Sequence, residues 1–208
     1  MTLPTVNPHA PVDKALVNDE RSALRRVLRQ RRRSLTPTQQ QSAARRLANH
    51  LLNLPLVKAS HSIALYLPND GEISLQPFIE QLWRLGKTPY LPQLHPLRGG
   101  RLWFLPYRRK SLLRNNRFGI PEPRSPRVFQ PRQMDLVLLP LVGFDAHGNR
   151  LGMGGGFYDR TFAQRGQRPI LVGIAHACQQ VPQLPVQPWD VPLHGIITDH
   201  GWINTRLP

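Results

Sequence analysis

A glycine-rich run from Gly148 to Gly156 holds the residues of this chain that are best suited to chemistry. Five of its nine residues are glycines, and because glycine costs backbone entropy, such a cluster indicates close approach of the backbone to a ligand. The N–H groups of a helix start predicted there can face an anion. Arg150 and Asp159 bracket the run with a cation and a hard oxygen ligand, which is the chemistry of a nucleotide phosphate and its magnesium ion.

The glycine run follows neither of the common nucleotide-binding patterns. No Gly-Lys-Ser or Gly-Lys-Thr triplet stands at the spacing of a P-loop, and the third glycine of a dinucleotide fingerprint counted from Gly152 would fall on Phe157. A flexible surface loop is the alternative, but a linker would carry serine and acidic residues rather than Met153 and Tyr158. The run therefore predicts a phosphate cradle of a non-standard type.

Charge is the second unusual feature of the 208-residue chain. Its 28 basic and 12 acidic residues give a net charge of +16, and such a balance attracts polyanions such as nucleic acid, nucleotides or polycarboxylates. Nine arginines and no acid occur between Arg21 and His50. Charge runs are usually solvated helix faces, and we interpret Arg31 to Arg33 in that way while assigning a binding role to Arg25.

The sequence also limits the cellular compartment in which the protein could work and the kinds of metal site that it could form. The single cysteine, Cys178, excludes an internal disulfide and fits a reducing cytoplasm. There is no apolar run of membrane-spanning length and no signal peptide, which predicts a cytoplasmic protein without a membrane partner, and we expect a monomer. His176 and Cys178 lack zinc-site spacing, and the segment Asp145 to Asn149 resembles a calcium loop only superficially because the closing glutamate is missing.

Along the chain, segments whose apolar residues recur with a helical period alternate with segments that have the pattern of a strand, and these elements must position the glycine run. Helices are predicted over 19–34, 37–54 and 75–86 and from within the glycine run, and strands over 62–67, 88–91, 102–107, 136–141, 170–175 and 195–198. Residues 1–18 are interpreted as a flexible N-terminal arm and 19–208 as one domain. We predict an α/β fold, a single domain with a central mostly parallel β-sheet flanked by helices on both faces. A ligand should bind at the carboxyl ends of the strands, where the glycine run and the segments after 62–67 and 170–175 meet.

The run RLGMGGGFYDR, Arg150 to Arg160, closely resembles the signature of the 5-formyltetrahydrofolate cyclo-ligases, also called methenyltetrahydrofolate synthetases. The resemblance extends through nearly the whole chain, from about Arg21 to Thr198. Four further segments match landmarks of the family in the same order: SIALYLPNDGEISL, FGIPEP, FDAHGNRLG and LPVQPWDVPLHGIIT. Single segments are weak signals, whereas five in the right order are highly specific.

The resemblance implies a set of functional residues, position by position. The implied ATP-binding residues are Arg21, Ser22, Ala23, Leu24, Arg25, Arg150, Leu151, Gly152, Met153, Gly154, Gly155, Gly156, Phe157 and Tyr158. The implied substrate-binding residues are Leu67, Glu72, Met153, Gly154, Gly155, Gly156 and Phe157. The implied magnesium ligands are Asp159 and Asp190, and we expect the catalytic roles to fall to Arg150 and Tyr158. Some relatives carry lysine at the positions of Arg21 and Gly155, which leaves Arg150 and the N-terminal arginines of this chain as the phosphate counter-charges.

Several of these residues also have a purely structural interpretation. Asp159 could complement the dipole of a helix start, Asp190 could be a turn residue, and Glu72 could be an exposed acid after a turn. The aromatic candidates to pack on the pterin ring, which could instead be core residues, are Phe157, Tyr158 and Trp189.

The resemblance implies a reaction as well. It is the cyclisation of 5-formyltetrahydrofolate to 5,10-methenyltetrahydrofolate with ATP as co-substrate and Mg²⁺ as cofactor, releasing ADP and phosphate. The formyl oxygen would be phosphorylated and N10 would then close the ring, without a protein nucleophile. The basic surround would also suit a polyglutamylated folate.

Two alternative functions stay open at this point. One is a basic nucleic-acid-binding protein on the same scaffold, although aromatic residues are only 7% of the chain and no recognised nucleic-acid module occurs. The other is a sugar-phosphate isomerase or CoA-transferase on a similar fold. The run RLGMGGGFYD favours an ATP-binding enzyme over both of these classes.

Overall fold

A seven-stranded sheet organises the chain. The computed structural model describes residues 14–164, 166, 169–203 and 205. The helices are α1 (Lys14–Arg33), α2 (Pro37–Asn53), α3 (Pro55–Ala59), α4 (Gln76–Arg84) and α5 (Phe157–Phe162). The strands are β1 (Ile63–Ala64), β2 (Tyr90–Leu94), β3 (Leu102–Pro106), β4 (Leu113–Asn115), β5 (Pro121–Pro123), β6 (Leu136–Pro140), β7 (Gly143–Phe144), β8 (Arg150–Leu151), β9 (Ile170–Ala175), β10 (Gly195–Thr198) and β11 (Gly201–Ile203).

The strand order of the sheet is β11-β10-β9-β6-β1-β2-β3. The five inner strands pair in parallel, and β3 and β11 close the two edges in antiparallel pairs. The predicted α/β fold with a mostly parallel sheet is therefore confirmed. Two small hairpins, β4–β5 and β7–β8, lie outside the sheet, and the sequence analysis did not predict them.

Helices cover both faces of the sheet, as predicted. Side chains of β6 alternate between the faces, so that Leu138 packs with α2 and α4 while Leu139 packs with Phe162 of α5. Because both faces are buried, the strand sequence is a continuous apolar run rather than an alternating one. Within the residues that the structure describes, no helix combines the length and the apolar composition needed to cross a membrane.

Most predicted elements are present, with shifted boundaries. Thr36 caps α2 as expected, since its hydroxyl accepts the N–H of Gln39 at 3.2 Å. Helix α1 begins at Lys14 rather than at residue 19, so residues 14–18 of the predicted arm are helical, and the rest of the arm lies outside the described residues. The strand predicted over 62–67 covers only Ile63–Ala64 because the chain leaves the sheet after Leu65, whose N–H donates to the carbonyl of Tyr90 at 2.9 Å.

The loop between β7 and β8 is organised by the buried carboxylate of Asp145. Its Oδ1 accepts the N–H groups of His147 at 3.0 Å and Asn149 at 3.1 Å. Its Oδ2 accepts the side-chain amide of Asn149 at 2.9 Å and the N–H of Leu184 at 3.1 Å. All four donors belong to the protein, which explains why this calcium-like segment needs no cation.

Replacing Asp145 by alanine is expected to lower the free energy of unfolding by about 3 kcal/mol, because buried N–H groups would lose a charged acceptor. Urea denaturation at neutral pH measures the change. The matched control is Asp19→Ala, at an exposed position of α1, which should leave the midpoint unchanged. Asp145→Asn should fall between the two, and a midpoint for Asp145→Ala equal to that of the control would contradict the prediction.

Candidate active site

Two cavities meet at the glycine run. The first, here called the sheet cavity, has a volume of about 480 Å³ and lies at the carboxyl ends of β1, β2 and β6. The second, here called the helix cavity, has a volume of about 450 Å³ and lies between α1, α5 and the segment 187–190. Gly152, Gly156 and Asp159 line both cavities, so the glycine run forms the partition between them. Two ligands could therefore approach the same backbone from opposite sides.

The backbone of the partition needs glycine and is held in place by arginines. Gly154 has a φ of 96° and Gly156, at the start of α5, a φ of 61°, which are left-handed conformations that disfavour a side chain. Arg25 of α1 donates from Nε to the carbonyl of Gly152 at 2.9 Å. Arg160 of α5 donates to the carbonyl of Gly155. These contacts tie the backbone of the run to α1 and α5, which disfavours its interpretation as a flexible surface loop.

Helix α1 approaches the partition closely because of a small residue in β7. The side chain of Leu28 packs directly on Gly143, where any Cβ would clash with it. This close approach brings Arg21 and Arg25 of the same helix to the helix cavity. The binding role of the segment stays a prediction.

Arg150 and Asp159 form an ion pair at the base of the partition. Nη2 of Arg150 lies 2.6 Å from Oδ1 of Asp159, which also accepts the N–H of Val191 at 3.1 Å. Nε of Arg150 is buried and has no hydrogen-bond partner among the described residues. An unpaired buried donor is costly, so a ligand oxygen that came within reach of Nε would relieve this cost.

Asp190 is engaged in a second ion pair, with Arg21. The guanidinium holds both carboxylate oxygens, at 2.5 and 3.1 Å, and Oδ2 also accepts the N–H of Gln187 at 2.9 Å. Asp159 and Asp190 line the same helix cavity, and no group of three or more metal-binding side chains occurs in the described part of the chain. Two carboxylates fit Mg²⁺, which commonly takes one or two protein carboxylates and completes its shell with phosphate and water.

The interpretation of Arg31 to Arg33 as solvated surface is wrong for Arg32, whereas Arg31 and Arg33 are exposed. Arg32 is fully buried, and Arg32 and Arg33 both donate to the carboxylate of Asp70, in the turn after β1. Arg29 donates to the same carboxylate at 2.7 Å. Burial alone would raise the pKa of Asp70, but hydrogen bonds from the three arginines outweigh it and hold that pKa below its usual range. The spacing of arginines at 29, 32 and 33 is the helical signal that could have indicated this face.

Glu72 is a buried carboxylate in the wall of the sheet cavity, not an exposed acid. Its Oε2 accepts the N–H of Asn69 at 3.0 Å. Burial raises the pKa of Glu72 to about 7, although the charge of Arg32 opposes the shift. Burial, with the nearby Glu72 carboxylate, also raises the pKa of Tyr158, so its hydroxyl keeps its proton.

The predicted site residues divide between the two cavities. The sheet cavity is lined by Leu67, Glu72, Arg150, Gly152, Met153, Gly155, Gly156, Phe157, Tyr158 and Asp159. The helix cavity is lined by Arg21, Arg25, Gly152, Gly154, Gly156, Asp159 and Asp190. The predicted residues that line neither cavity are Ser22, Ala23, Leu24 and Leu151. Trp189 is 57% exposed and lines the helix cavity, whereas Phe157 and Tyr158, the other aromatic candidates for a pterin contact, line the sheet cavity.

The sequence analysis missed the contribution of the β4–β5 hairpin to the sheet cavity. Asn116, Phe118 and Glu122 line the cavity, and the ring of Phe118 meets that of Phe157 edge-on at 5.7 Å. Asn116 donates to Glu122 at 2.8 Å, which holds the hairpin closed. The motif FGIPEP marked this segment as a family landmark, but nothing in its residue types indicated a ligand.

The sequence model of the 5-formyltetrahydrofolate cyclo-ligase family matches residues 17–199 of this chain. The chain belongs to that family. It is 47% identical over 175 residues to the 5-formyltetrahydrofolate cyclo-ligase of Escherichia coli (strain K12), covering 83% of this chain and 96% of the relative. Identity to the enzyme of the same name from Haemophilus influenzae is 43% over 181 residues, covering 86% of this chain and 97% of the relative.

Solved structures of family members share the fold. The 5,10-methenyltetrahydrofolate synthetase of Aquifex aeolicus superposes with a TM-score of 0.79 at 29% identity, covering 90% of this chain and 94% of that structure. The corresponding synthetase from Mycoplasma pneumoniae gives a TM-score of 0.70 at 27% identity, covering 86% and 99%. Family membership confirms the prediction of a ligase enzyme and implies ATP as its co-substrate.

Proposed function

We propose that this protein cyclises 5-formyltetrahydrofolate to 5,10-methenyltetrahydrofolate and that it uses ATP and Mg²⁺ to do so. One observation carries the proposal beyond family membership: two cavities of similar size share the glycine partition, with the unpaired donor of Arg150 beside it. Such an arrangement suits a phosphoryl transfer between two substrates, because donor and acceptor must be held close together and roughly in line.

The folate occupies the sheet cavity and the nucleotide the helix cavity in this proposal. Glu72 accepts hydrogen bonds from N–H groups of the pterin ring, and Phe157 packs against its face. The N–H groups of the glycine run, together with Arg21 and Arg25, surround the ATP phosphates. The exposed face of Trp189 offers a stacking surface for a nucleotide base.

The chemistry needs no protein nucleophile. The formyl oxygen attacks the γ-phosphorus, the bond to the β–γ bridging oxygen breaks, and ADP leaves. The formyl carbon, now bearing a phosphate leaving group, is attacked by the neighbouring N10, which closes a five-membered ring. The C–O bond then breaks, inorganic phosphate leaves, and N10 loses its proton. Arg150 neutralises charge on the transferring phosphoryl, while Tyr158 donates a hydrogen bond from its protonated hydroxyl.

Asp159 and Asp190 would hold the magnesium ion, which when bound would neutralise phosphate charge. Each carboxylate is paired with an arginine, Asp159 with Arg150 and Asp190 with Arg21. On this proposal the two guanidiniums would be available to phosphate oxygens and the two carboxylates to the metal, so that every buried charge would keep a partner of opposite sign.

The test is the growth of methenyltetrahydrofolate absorbance with 5-formyltetrahydrofolate, ATP and Mg²⁺, and with each of the three omitted in turn. We expect turnover only in the complete mixture, and folded protein without turnover would refute the proposal. The nucleic-acid alternative is less favoured because Arg21, Arg25, Arg29, Arg32 and Arg33 of α1 all contact protein groups. Steeply salt-dependent binding of a DNA or RNA oligonucleotide would revive it.

The pH dependence of folate use should follow the ionisation of Glu72. Its pKa lies at about 7, and the ionised carboxylate accepts stronger hydrogen bonds from pterin N–H groups than the neutral acid does, so kcat/KM for the folate should rise as pH increases through about 7. Steady-state kinetics between about pH 6 and 9 measures this rise. In Glu72→Gln the rise should disappear, and a variant that keeps it would assign the titration to another group.

A further inference from the structure

Arg32 is a buried cation that contacts three separate segments of the chain, each of which contributes a residue to the wall of the sheet cavity. Its Nε and Nη2 donate to the carbonyl and the carboxylate of Asp70, both at 2.8 Å, and Nη1 donates to the carbonyl of Leu141, after β6, at 3.2 Å. Nη2 also lies 3.8 Å from Sδ of Met153 in the glycine run and 3.9 Å from Oε1 of Glu72. An arginine stays charged across the working range of pH, so this cation acts on all three segments at all times.

The pairing with Asp70 does not by itself account for Arg32. Arg29 and Arg33 already supply that carboxylate with two guanidiniums from the partly exposed side of α1. Burying a third guanidinium, that of Arg32, beside the same carboxylate is unfavourable unless its charge also compensates another anion. The carboxylate of Glu72 is the other anion within 4.0 Å of Arg32 among the described residues. Arg32 itself is not part of the cavity wall, so it acts on a ligand only through the residues that it holds.

We propose that Arg32 is a positioning residue for the folate substrate. It holds the turn that carries Glu72 and the side chain of Met153 from behind the sheet cavity, so that the carboxylate meets the substrate in one fixed position. The inference rests on the proposed function, because it takes the sheet cavity as the folate site. The inference gives a role in substrate binding to Arg32, which the sequence analysis interpreted as solvated surface.

Ionisation of Glu72 supplies a readout that a purely structural role would not change. The titratable or charged groups that face Glu72 are Arg32 from α1, Asp70 in its own turn, and the hydroxyls of Tyr66 and Tyr158. Burial raises the pKa of both tyrosines, so they remain neutral and Arg32 is the cation of the set. Loss of the Arg32 charge should therefore raise the pKa of Glu72 further above 7, and the ascending limb of the folate pH profile should move with it.

The first experiment compares Arg32→Met with Arg31→Met, a matched control at the exposed neighbouring position. KM for the folate and KM for ATP are measured across the pH range for both variants and the wild type. In Arg32→Met we expect the folate KM at neutral pH to rise about tenfold and the ascending limb to move up by about one pH unit. The ATP KM should change much less, and Arg31→Met should match the wild type. Identical folate KM and pH profiles for the two variants would overturn the inference.

A conservative variant covers the case in which Arg32→Met does not fold. Arg32→Lys keeps the cation but loses the planar fork, so it should leave the pH profile in place and raise the folate KM. Combined with Glu72→Gln, the same substitution should have a much smaller effect, because Arg32 acts through Glu72. A wild-type folate KM in Arg32→Lys, or an equal effect in both backgrounds, would refute the inference. A wild type without turnover would instead refute the proposed function.

Discussion

Replacement of Asp159 by asparagine is expected to lower kcat/KM by roughly 10³-fold, which corresponds to about 4 kcal/mol of transition-state stabilisation. Asparagine can still accept the N–H of Val191, so the start of α5 should keep its geometry. It cannot supply a carboxylate to a magnesium ion, and it leaves Arg150 with a neutral partner. The loss should therefore fall on the chemical step and on the use of Mg²⁺, with little change in the folded structure.

The measurement is the Mg²⁺ dependence of turnover, together with the thermal unfolding midpoint of each protein. Asp19→Asn, at an exposed position of α1, is the matched control and should behave as the wild type. In Asp159→Asn the Mg²⁺ concentration for half-maximal activity should rise while the midpoint stays close to that of the control. A variant that loses activity without any change in its Mg²⁺ requirement would show that Asp159 acts through Arg150 rather than through the metal.

The parts of the molecule that the sequence predicted well are those with a strong local cause. The strands 136–141 and 170–175 are apolar on both faces, which only a covered parallel sheet explains, and the structure has them at β6 and β9. The glycine run predicts an unusual backbone geometry, and Gly154 and Gly156 do adopt left-handed conformations that are unfavourable for other residue types. Both signals are carried by residues close together in the chain.

What the sequence did not indicate depends on contacts between distant segments. Arg32 and Arg31 are the same residue type on one helix, and only the position of the turn after β1 makes the first buried and leaves the second exposed. The β4–β5 hairpin contributes Phe118 to the sheet cavity although its strands have no apolar alternation. In each case the deciding partner is more than thirty residues away in the chain.

Contacts between distant segments also account for part of the high positive charge of this chain. The arginine-rich helix suggested a cationic surface, yet Arg21, Arg29, Arg32 and Arg33 are paired with two aspartates, Asp70 and Asp190. Much of the charge of this helix is thus used to fix the turn beside the sheet cavity and the wall of the helix cavity. A count of charged residues cannot distinguish internal pairing of this kind from a surface that attracts polyanions.

Replacement of Arg150 by methionine is expected to lower kcat by roughly 10³-fold and to change the folate KM far less. The guanidinium is buried at the edge of the sheet cavity, and its unpaired Nε is suited to charge that develops on the phosphoryl group during transfer. Such an interaction is stronger in the transition state than in the bound substrates, so its loss should appear in kcat. Arg150→Lys keeps a positive charge but loses the planar guanidinium with its Nε donor. Its kcat should therefore lie between those of the wild type and Arg150→Met.

Single-turnover and steady-state kinetics with both variants separate binding from chemistry, and Arg45→Met, at an exposed position of α2, is the matched control. Arg150→Met also leaves the carboxylate of Asp159, only 18% exposed, without its cation, so part of the effect could come from that uncompensated charge. The double variant with Asp159→Asn removes both charges and should recover stability but not turnover. Turnover of the double variant equal to that of Asp159→Asn alone would mean that Arg150 only neutralises Asp159, whereas a further loss would support its action on the phosphoryl group. If the folate KM rose as steeply as kcat fell, Arg150 would bind the folate rather than stabilise the transferring phosphoryl.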